Sequence, residues 1–425
     1  MNFDNTLEFA RKQDAEDPLK HFRKKFFIPQ HNGEDCVYFT GNSLGLQPVS
    51  TKDYIQQELD DWAALGVEGH FKGKNPWFSY HELFPEQISK IVGALPHEVV
   101  VMNQLTVNLH LLLTTFYRPT KERYKIICEA KAFPSDHYAL ESQAILHGFN
   151  PRDAVIEVGT REGEHNLRTP DILDIIERHK DELALVILGG VNYYSGQVMD
   201  MKTITEAAHK VGAVAGFDLA HAAGNIALHL HDWNVDFACW CSYKYLNSGP
   251  GGVAGAFIHE KHATNTALPR MAGWWGYDKE TRFQMKPGFQ AIPTAEGWQL
   301  SNAPVLSMAA HKASLDIFDE AGMDALIEKS KKLTGFLFDI LDEINKEMGA
   351  TAVEIITPRK EGEYGCQVSM LMHERGKTIF NTLLERGVIA DWREPNVIRI
   401  APVPLYNTFE DVWRFGNIIQ SILKP

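Results

Sequence analysis

Val214-Ala215-Gly216-Phe217-Asp218-Leu219-Ala220-His221, followed by the apolar run Phe237-Ala238-Cys239-Trp240 and then Ser242-Tyr243-Lys244-Tyr245, decides the fold. Both apolar runs are continuous rather than alternating, the pattern of parallel strands buried on both faces. Open α/β sheets of such strands bind ligands just beyond the strands' carboxyl ends. Asp218 and Lys244 stand at those ends, so both would face one crevice. Taken singly, each has an ordinary reading: a lysine after a strand is usually a solvated cation, and an aspartate a turn residue or helix cap. Taken together and in this order, they supply what pyridoxal phosphate requires, a carboxylate for the pyridine nitrogen and an amine for a Schiff base. The pair predicts an enzyme of amino-acid chemistry.

Outward from this pair, apolar runs at Val99–Met102, Lys125–Cys128, Ala154–Val158 and Leu183–Leu188 alternate with helical stretches such as Pro170–His179 and Lys202–Val211. That alternation predicts a doubly wound, mostly parallel α/β sheet. After Pro304 the pattern changes. Two long helical stretches, Val305–Glu320 and Met323–Glu347, lead into strands expected at Val353–Ile356, Gln367–Met372, Val388–Asp391 and Val397–Ile400, with helices at Thr378–Arg386 and Phe409–Leu423. The expected organisation is therefore an N-terminal segment, 1–65, packing with a small domain; a large domain, 66–303; and a small C-terminal α+β domain, 304–425.

Composition narrows the function classes. The chain has 425 residues, 44% of them hydrophobic, enough for a large core, and a net charge of -13 without long blocks of one sign. That balance argues against a nucleic-acid or anionic-membrane surface and for small-molecule partners. The five cysteines, Cys36, Cys128, Cys239, Cys241 and Cys366, form no paired knuckles, so neither a disulfide framework nor a zinc site is expected. Cys239 and Cys241 would share one strand face. His229-Leu230-His231-Asp232 looks like a metal cluster but runs directly into a strand without cysteine partners, and no metal is expected there. The N-terminus shows no basic stretch followed by an apolar segment, and a reducing cytoplasm is the expected location.

Other segments carry chemistry of their own. Val99–Thr106 runs from strand to turn and continues as an apolar helix from Val107 to Phe116. The free N–H groups at such a helix start attract anions, and Thr106 adds a hydroxyl; Thr106 could equally cap its own helix. Phe133-Pro134-Ser135-Asp136 follows the strand ending near Cys128, where Phe133 could stack on a pyridine ring or the segment could be an ordinary proline turn. In Val397-Ile398-Arg399-Ile400, strand alternation sets Arg399 opposite the isoleucines.

These segments together with Tyr38-Phe39-Thr40-Gly41-Asn42-Ser43-Leu44-Gly45, Gly273-Trp274-Trp275-Gly276 and Ile398-Arg399-Ile400-Ala401-Pro402-Val403-Pro404-Leu405-Tyr406-Asn407 resemble the kynureninase family, PLP-dependent enzymes of fold type I, from about Tyr38 to the C-terminus. The resemblance implies that Lys244 carries the cofactor as a Schiff base, that Asp218 holds the pyridinium proton, and that Asp136 and His221 lie close by. It puts Phe133 on the ring, and Leu105 through its backbone, Thr106, Pro134, Ser135, Tyr243, Trp274 and Asn302 around the phosphate and cofactor rim. It implies a homodimer with sites at the subunit interface, Trp274 and Asn302 reaching the partner's cofactor. Arg399 becomes the clamp for the substrate α-carboxylate, since a guanidinium offers a bidentate fork. Asn42 and Ser43 would close over the same end, while His70, Ser301 and Asn302 would line the aryl pocket and favour 3-hydroxykynurenine over kynurenine.

The implied reaction is hydrolysis of the Cβ–Cγ bond of a kynurenine to an anthranilate and L-alanine, in tryptophan breakdown or in NAD synthesis. Lys244 would move the Cα proton, water would add to the γ-carbonyl, and Tyr243 would return a proton to the carbon left behind. Another fold-type I activity, an aminotransferase or a cysteine desulfurase, is the alternative. A desulfurase needs a mobile nucleophilic cysteine, and Cys366, at the start of a strand, reads as a core residue instead.

Overall fold

The computed structural model describes residues 3–349 and 352–424. Its centre is a seven-stranded sheet built from β1 (Val99–Val101), β2 (Lys125–Glu129), β3 (Val155–Val158), β4 (Leu183–Gly189), β5 (Val214–Asp218), β6 (Phe237–Trp240) and β7 (Gly255–Ile258), in the order β1-β7-β6-β5-β4-β2-β3. Strands β2 to β6 pair in parallel, whereas β7 is antiparallel to both β6 and β1. Every residue of β6 is buried, and so are four of the five in β5. Period-2 alternation divides each strand between two layers. Val186, Leu188, Ala215, Phe217, Ala238 and Trp240 join the core on one side; Leu185, Ile187, Phe237 and Cys239 join the core on the other.

The expected small-domain strand Val388–Asp391 divides in two, Val388–Ile389 pairing with Val37–Tyr38 and Asp391–Arg393 joining the small domain's sheet; in the central sheet the expected strands lie where the apolar runs put them, to within about a residue, a margin normal for element ends. The exception is β7, which the apolar runs left out. It is short, follows the glycine-rich Gly249–Gly252 turn, and opens with Gly255, where a Cβ would come within 2.3 Å of the Trp240 ring. Cys239 lies on β6, but Cys241 falls beyond the strand's end, so the two do not share a strand face as expected. All five cysteines are free and buried.

The crossover helices form for local reasons. Thr169–Arg178 begins with a proline in its first turn and buries Ile172 and Ile176, one turn apart. Met201–Lys210 is capped by Asp200, whose carboxylate accepts the Thr203 N–H at 3.1 Å.

The small domain is a four-stranded antiparallel sheet of β8 (Glu354–Ile355), β9 (Val368–Leu371), β10 (Asp391–Arg393) and β11 (Val397–Ile400), in the order β8-β9-β11-β10. Helices Gly376–Glu385 and Phe409–Leu423 and the C-terminal part of Met323–Met348 pack on it. Gly349 ends the long helix in the left-handed conformation. Packing divides the chain differently from the expected boundary at 304. Met308, Leu315, Ile317 and Phe318 of helix Val305–Ala321 belong to the large-domain core, and the small domain's own core starts at Leu333.

The N-terminal segment is shared between the domains. Helix Leu7–Glu16 packs on Phe409–Leu423, where Asp14 accepts the Phe409 and Glu410 N–H groups at 2.7 and 3.0 Å, an acid at a helix start. Val37–Tyr38 pairs with Val388–Ile389. Helix Thr51–Leu65 packs instead on Val305–Ala321. Among the described residues, no helix is long and apolar enough to cross a membrane.

Candidate active site

At the carboxyl ends of β2, β4, β5 and β6 lies a cavity of about 550 Å³, within the usual range for small-molecule sites. The register that pairs Gly189 with Asp218 and Asp218 with Cys239 brings these strand ends level. Asp218 ends β5, and its Oδ1 accepts the Ala220 N–H at 2.6 Å. Lys244 stands on the turn after β6, with Nζ 3.0 Å from His221 Nε2 and 5.9 Å from the centre of the Phe133 ring. Loop 40–45 closes against this turn. The Gly45 N–H donates to the Tyr243 carbonyl at 2.8 Å, and a Cβ on Gly45 would sit 2.3 Å from the Lys244 carbonyl.

The cavity floor is acidic. Burial, and then the charge of Asp218, hold the Asp136 carboxyl well above the usual carboxylate range. Asp218 is also raised by burial, but the Ala220 N–H and the Lys244 ammonium oppose the rise. The pair therefore keeps one proton, on Asp136, and leaves the charge on Asp218. Beside them Glu129, at the end of β2, is pushed up to about 7 by burial while its oxygens accept the Gly189 N–H.

The rim is basic. Burial, then Lys244 and two arginines, hold His221 well below the ordinary imidazole value. It is a neutral ring whose Nε2 accepts from Lys244. Burial likewise raises the Tyr243 phenol, so it stays protonated near neutral pH.

Helix Leu105–Phe116 aims its N-terminus into the cavity, with Gln104, Leu105 and Thr106 on the wall. Its N-cap is Gln104, and no side chain caps it. Thr106 is therefore not the cap of its own helix, and the leading N–H groups are free for an anion. Phe133, Ser135, Asp136, Tyr243, Asn42 and Ser43 share the same wall. Asn42 is fully buried and donates to Gln367 at 2.9 Å, while its Oδ1 has no partner. Pro134 opens helix Pro134–Leu146.

Six of the expected site residues stay off this wall, Pro134 at the start of its helix among them. Arg399 is buried behind it, bonded to Asp391 and the Tyr193 carbonyl. His70, on the short helix Gly69–Lys72, donates from Nδ1 to the Val67 carbonyl at 3.0 Å and packs edge-on against Trp77. Trp274 is 42% exposed, and Ser301 and Asn302 are exposed. Asn302 does not cap the following helix, which starts from Pro304 without a side-chain cap. His231 of the histidine-rich stretch meets Glu98 at 2.9 Å and stacks on His259, but Glu98 also receives the Leu95 and Glu260 N–H groups, a knot of structural bonds.

Gln104, Glu129, Tyr193 and Arg393 line the cavity without having been singled out. Tyr193 and Glu129 carried a usable signal, since both lie at or just past the carboxyl end of an apolar run. Arg393 did not, because its place depends on how β10 pairs with β11 across a loop.

With this geometry in view, the likenesses to known proteins fall into two groups. A model of the kynureninase C-terminal domain family matches residues 326–419, close to the packing boundary found here. The kynureninase of Flavobacterium psychrophilum is 58% identical over 421 residues, covering 99% of each chain. That of Mus musculus is 48% identical over 100% of this chain and 95% of its own; that of Homo sapiens is 49% identical over 96% and 91%. Among solved structures, a cysteine desulfurase of Thermococcus onnurineus aligns with a TM-score of 0.75 at 17% identity over 95% of this chain and 98% of its own. A mutant of the C-DES enzyme with glycine covalently linked to its PLP cofactor aligns with a TM-score of 0.74 at 15% identity, over 90% and 96%. The second group shares the fold, which is the expected fold-type I architecture.

Proposed function

The chain belongs to the kynureninase family and hydrolyses kynurenine, and from that premise we propose which residues do the work and on which substrate. One observation carries the assignment: Asp218, ending β5, and Lys244, on the turn after the adjacent β6, meet over one cavity that an uncapped helix terminus enters from the side. That donor set fits pyridoxal phosphate, the enzyme's cofactor, with an amine for the aldehyde, a carboxylate for the ring nitrogen and free N–H groups for the phosphate.

When bound, the cofactor supplies an electron sink for the bonds that break next to the substrate's amino group. The chain supplies the rest. Lys244 Nζ would hold the cofactor's aldehyde and, when free, would take the proton from the substrate's Cα. Asp218 would keep a proton on the ring nitrogen, with the Asp136 carboxyl beside it. The N–H groups of Leu105 and Thr106, with the Thr106 and Ser135 hydroxyls and Pro134 framing the turn, would hold the phosphate, and Phe133 would lie against the ring. The neutral His221 accepts a hydrogen bond from Lys244 without competing for positive charge. Tyr243, kept protonated by burial, donates a proton to the carbon left when Cβ–Cγ breaks. Arg399 takes the α-carboxylate, and Asn42 and Ser43 close that end.

The working unit is a homodimer. Phe71, Trp274, Phe283 and Met285 are exposed, and the rings of Phe71, Phe78, Phe283 and Trp274 run on from one another. A monomer rarely leaves such an aromatic patch open. His70 and Trp274 lie on its segments, and with Ser301 and Asn302 they would complete the partner's cavity. The polar character of His70, Ser301 and Asn302 suits the phenolic hydroxyl of 3-hydroxykynurenine, which we take as the favoured substrate, in tryptophan breakdown or NAD synthesis. The buried free thiols suit a reducing cytoplasm.

Incubating the purified protein with kynurenine and with 3-hydroxykynurenine, while following anthranilate fluorescence and alanine release, tests the reading. An equal or reversed kcat/KM would remove the hydroxyl preference and leave the hydrolase standing.

A further inference from the structure

Three charged residues of the small domain cluster on two neighbouring strands, with Arg393 on the cavity wall and Asp391 and Arg399 behind it. Asp391 and Arg393 lie two apart on β10, and Arg399 lies directly across from Asp391 on β11. Both guanidinium groups converge on one oxygen. Asp391 Oδ1 is 2.9 Å from Arg399 Nη2 and 3.0 Å from Arg393 Nε. Neither approach is in line, so Arg399 Nη2 and Arg393 Nε are buried without a hydrogen-bond acceptor. Asp391 thus supplies charge to both arginines but leaves one donor on each unused. With two guanidinium groups against one carboxylate and a neutral His221 beside them, the cluster is one negative charge short.

The two arginines also differ in access. The Arg399 side chain is fully buried and spends Nη1 on the Tyr193 carbonyl. Arg393 is 35% exposed and lines the cavity wall with Asn42, Ser43 and Tyr193.

We propose that Arg393 is a second carboxylate-binding residue: the substrate's α-carboxylate occupies the open valence of the Arg393–Asp391–Arg399 cluster, meeting Arg393 at the wall. Asp391 is a positioning residue that orients both forks. The proposal rests on the kynurenine-hydrolase reading of the same cavity, and its test separates the two.

The test uses the full-length, cofactor-loaded enzyme and its Arg393→Gln variant. Two ligands are titrated by the change in cofactor absorbance: L-alanine, which carries the carboxylate, and the decarboxylated amine of kynurenine, which lacks it. A lost charge-assisted contact should weaken L-alanine binding and raise KM for kynurenine by about tenfold or more. Binding of the amine should change less than about twofold, with kcat held within about threefold. Arg393→Lys, which keeps the charge and loses the fork, should fall between the two and covers the case in which the glutamine variant fails to fold. If both ligands weaken equally, or neither does, in the folded variants, Arg393 is not a carboxylate ligand. Failure of the wild type to take up cofactor or to cleave kynurenine would strike the underlying reading instead.

Discussion

Asp136→Asn and Asp218→Asn are the same chemical change a few ångströms apart, and the structure assigns them very different costs. Asp136 is held protonated by burial and by the charge of Asp218. An amide in its place is neutral for neutral. The expected loss is no more than one neutral hydrogen bond is worth, about 0.5–1.5 kcal/mol, which is roughly two- to twelvefold in kcat/KM. Asp218 carries the charge. Its amide variant would remove a charge-assisted hydrogen bond to the ring nitrogen, worth about 1.5–3 kcal/mol, hence roughly 10- to 150-fold. It would also leave Asp136 without the neighbour that keeps it neutral, so the Asp136 carboxyl should ionise at lower pH in Asp218→Asn. Steady-state kinetics over pH 6 to 9, with cofactor content measured for each variant, decides the matter. Equal losses in the two variants, or a larger loss in Asp136→Asn, would refute the placement of the proton.

Lys244→Ala should abolish kynurenine hydrolysis and the borohydride-reducible bond to the cofactor, which mass spectrometry of the intact chain would read. Arg399→Ala should lose about tenfold or more in kcat/KM while retaining cofactor, and Arg399→Lys should be impaired as well because the fork is gone; wild-type kinetics in both would end the clamp assignment. His311 is fully buried, both ring nitrogens lack partners, and burial lowers its value to about 3 from 6.5. A depressed histidine favours the folded state above pH 6.5 and loses that support as the pH falls towards 3, because only the unfolded chain takes up the proton. Between pH 7.5 and 5 this amounts to about 2 kcal/mol, so His311→Leu should gain on the wild type by roughly that much in denaturation measured at the two pH values; parallel curves would contradict it.

Sequence made some of this legible because its signals are local. A continuous apolar run ending in Asp218, and another followed by Lys244, are written in a few adjacent residues, and the strands they announce lie where they should. The kynureninase motifs likewise point to most of the cavity wall. The pattern failed where a position depends on distant partners. β7 is a short run behind glycines, and it becomes a strand because β6 and β1 flank it with antiparallel ladders. Helix Val305–Ala321 looked like the start of the small domain because strands and composition change after it, yet its buried face meets Thr51–Leu65 and the large-domain core. Arg399 was legible as an arginine on a strand, but its burial behind Tyr193 was not.

The charges of the site explain why the acids and arginines stand apart. Glu129, Asp136 and Asp218 gather at the floor, where burial would neutralise them unless a cation compensates, and a pyridinium nitrogen is such a cation. Arg393 at the rim and Arg399 buried behind it share a single carboxylate, and an anion would compensate the remaining charge. Lys244 lies between these regions, next to a histidine that burial and its cationic neighbours keep neutral. A zwitterionic amino acid entering this gradient would, on the proposed assignment, be favoured with its carboxylate towards the arginines and its amine towards Lys244. On the proposed assignment its Cα–H would then fall within reach of the same lysine, so that one arrangement of charge would set up both binding and proton transfer.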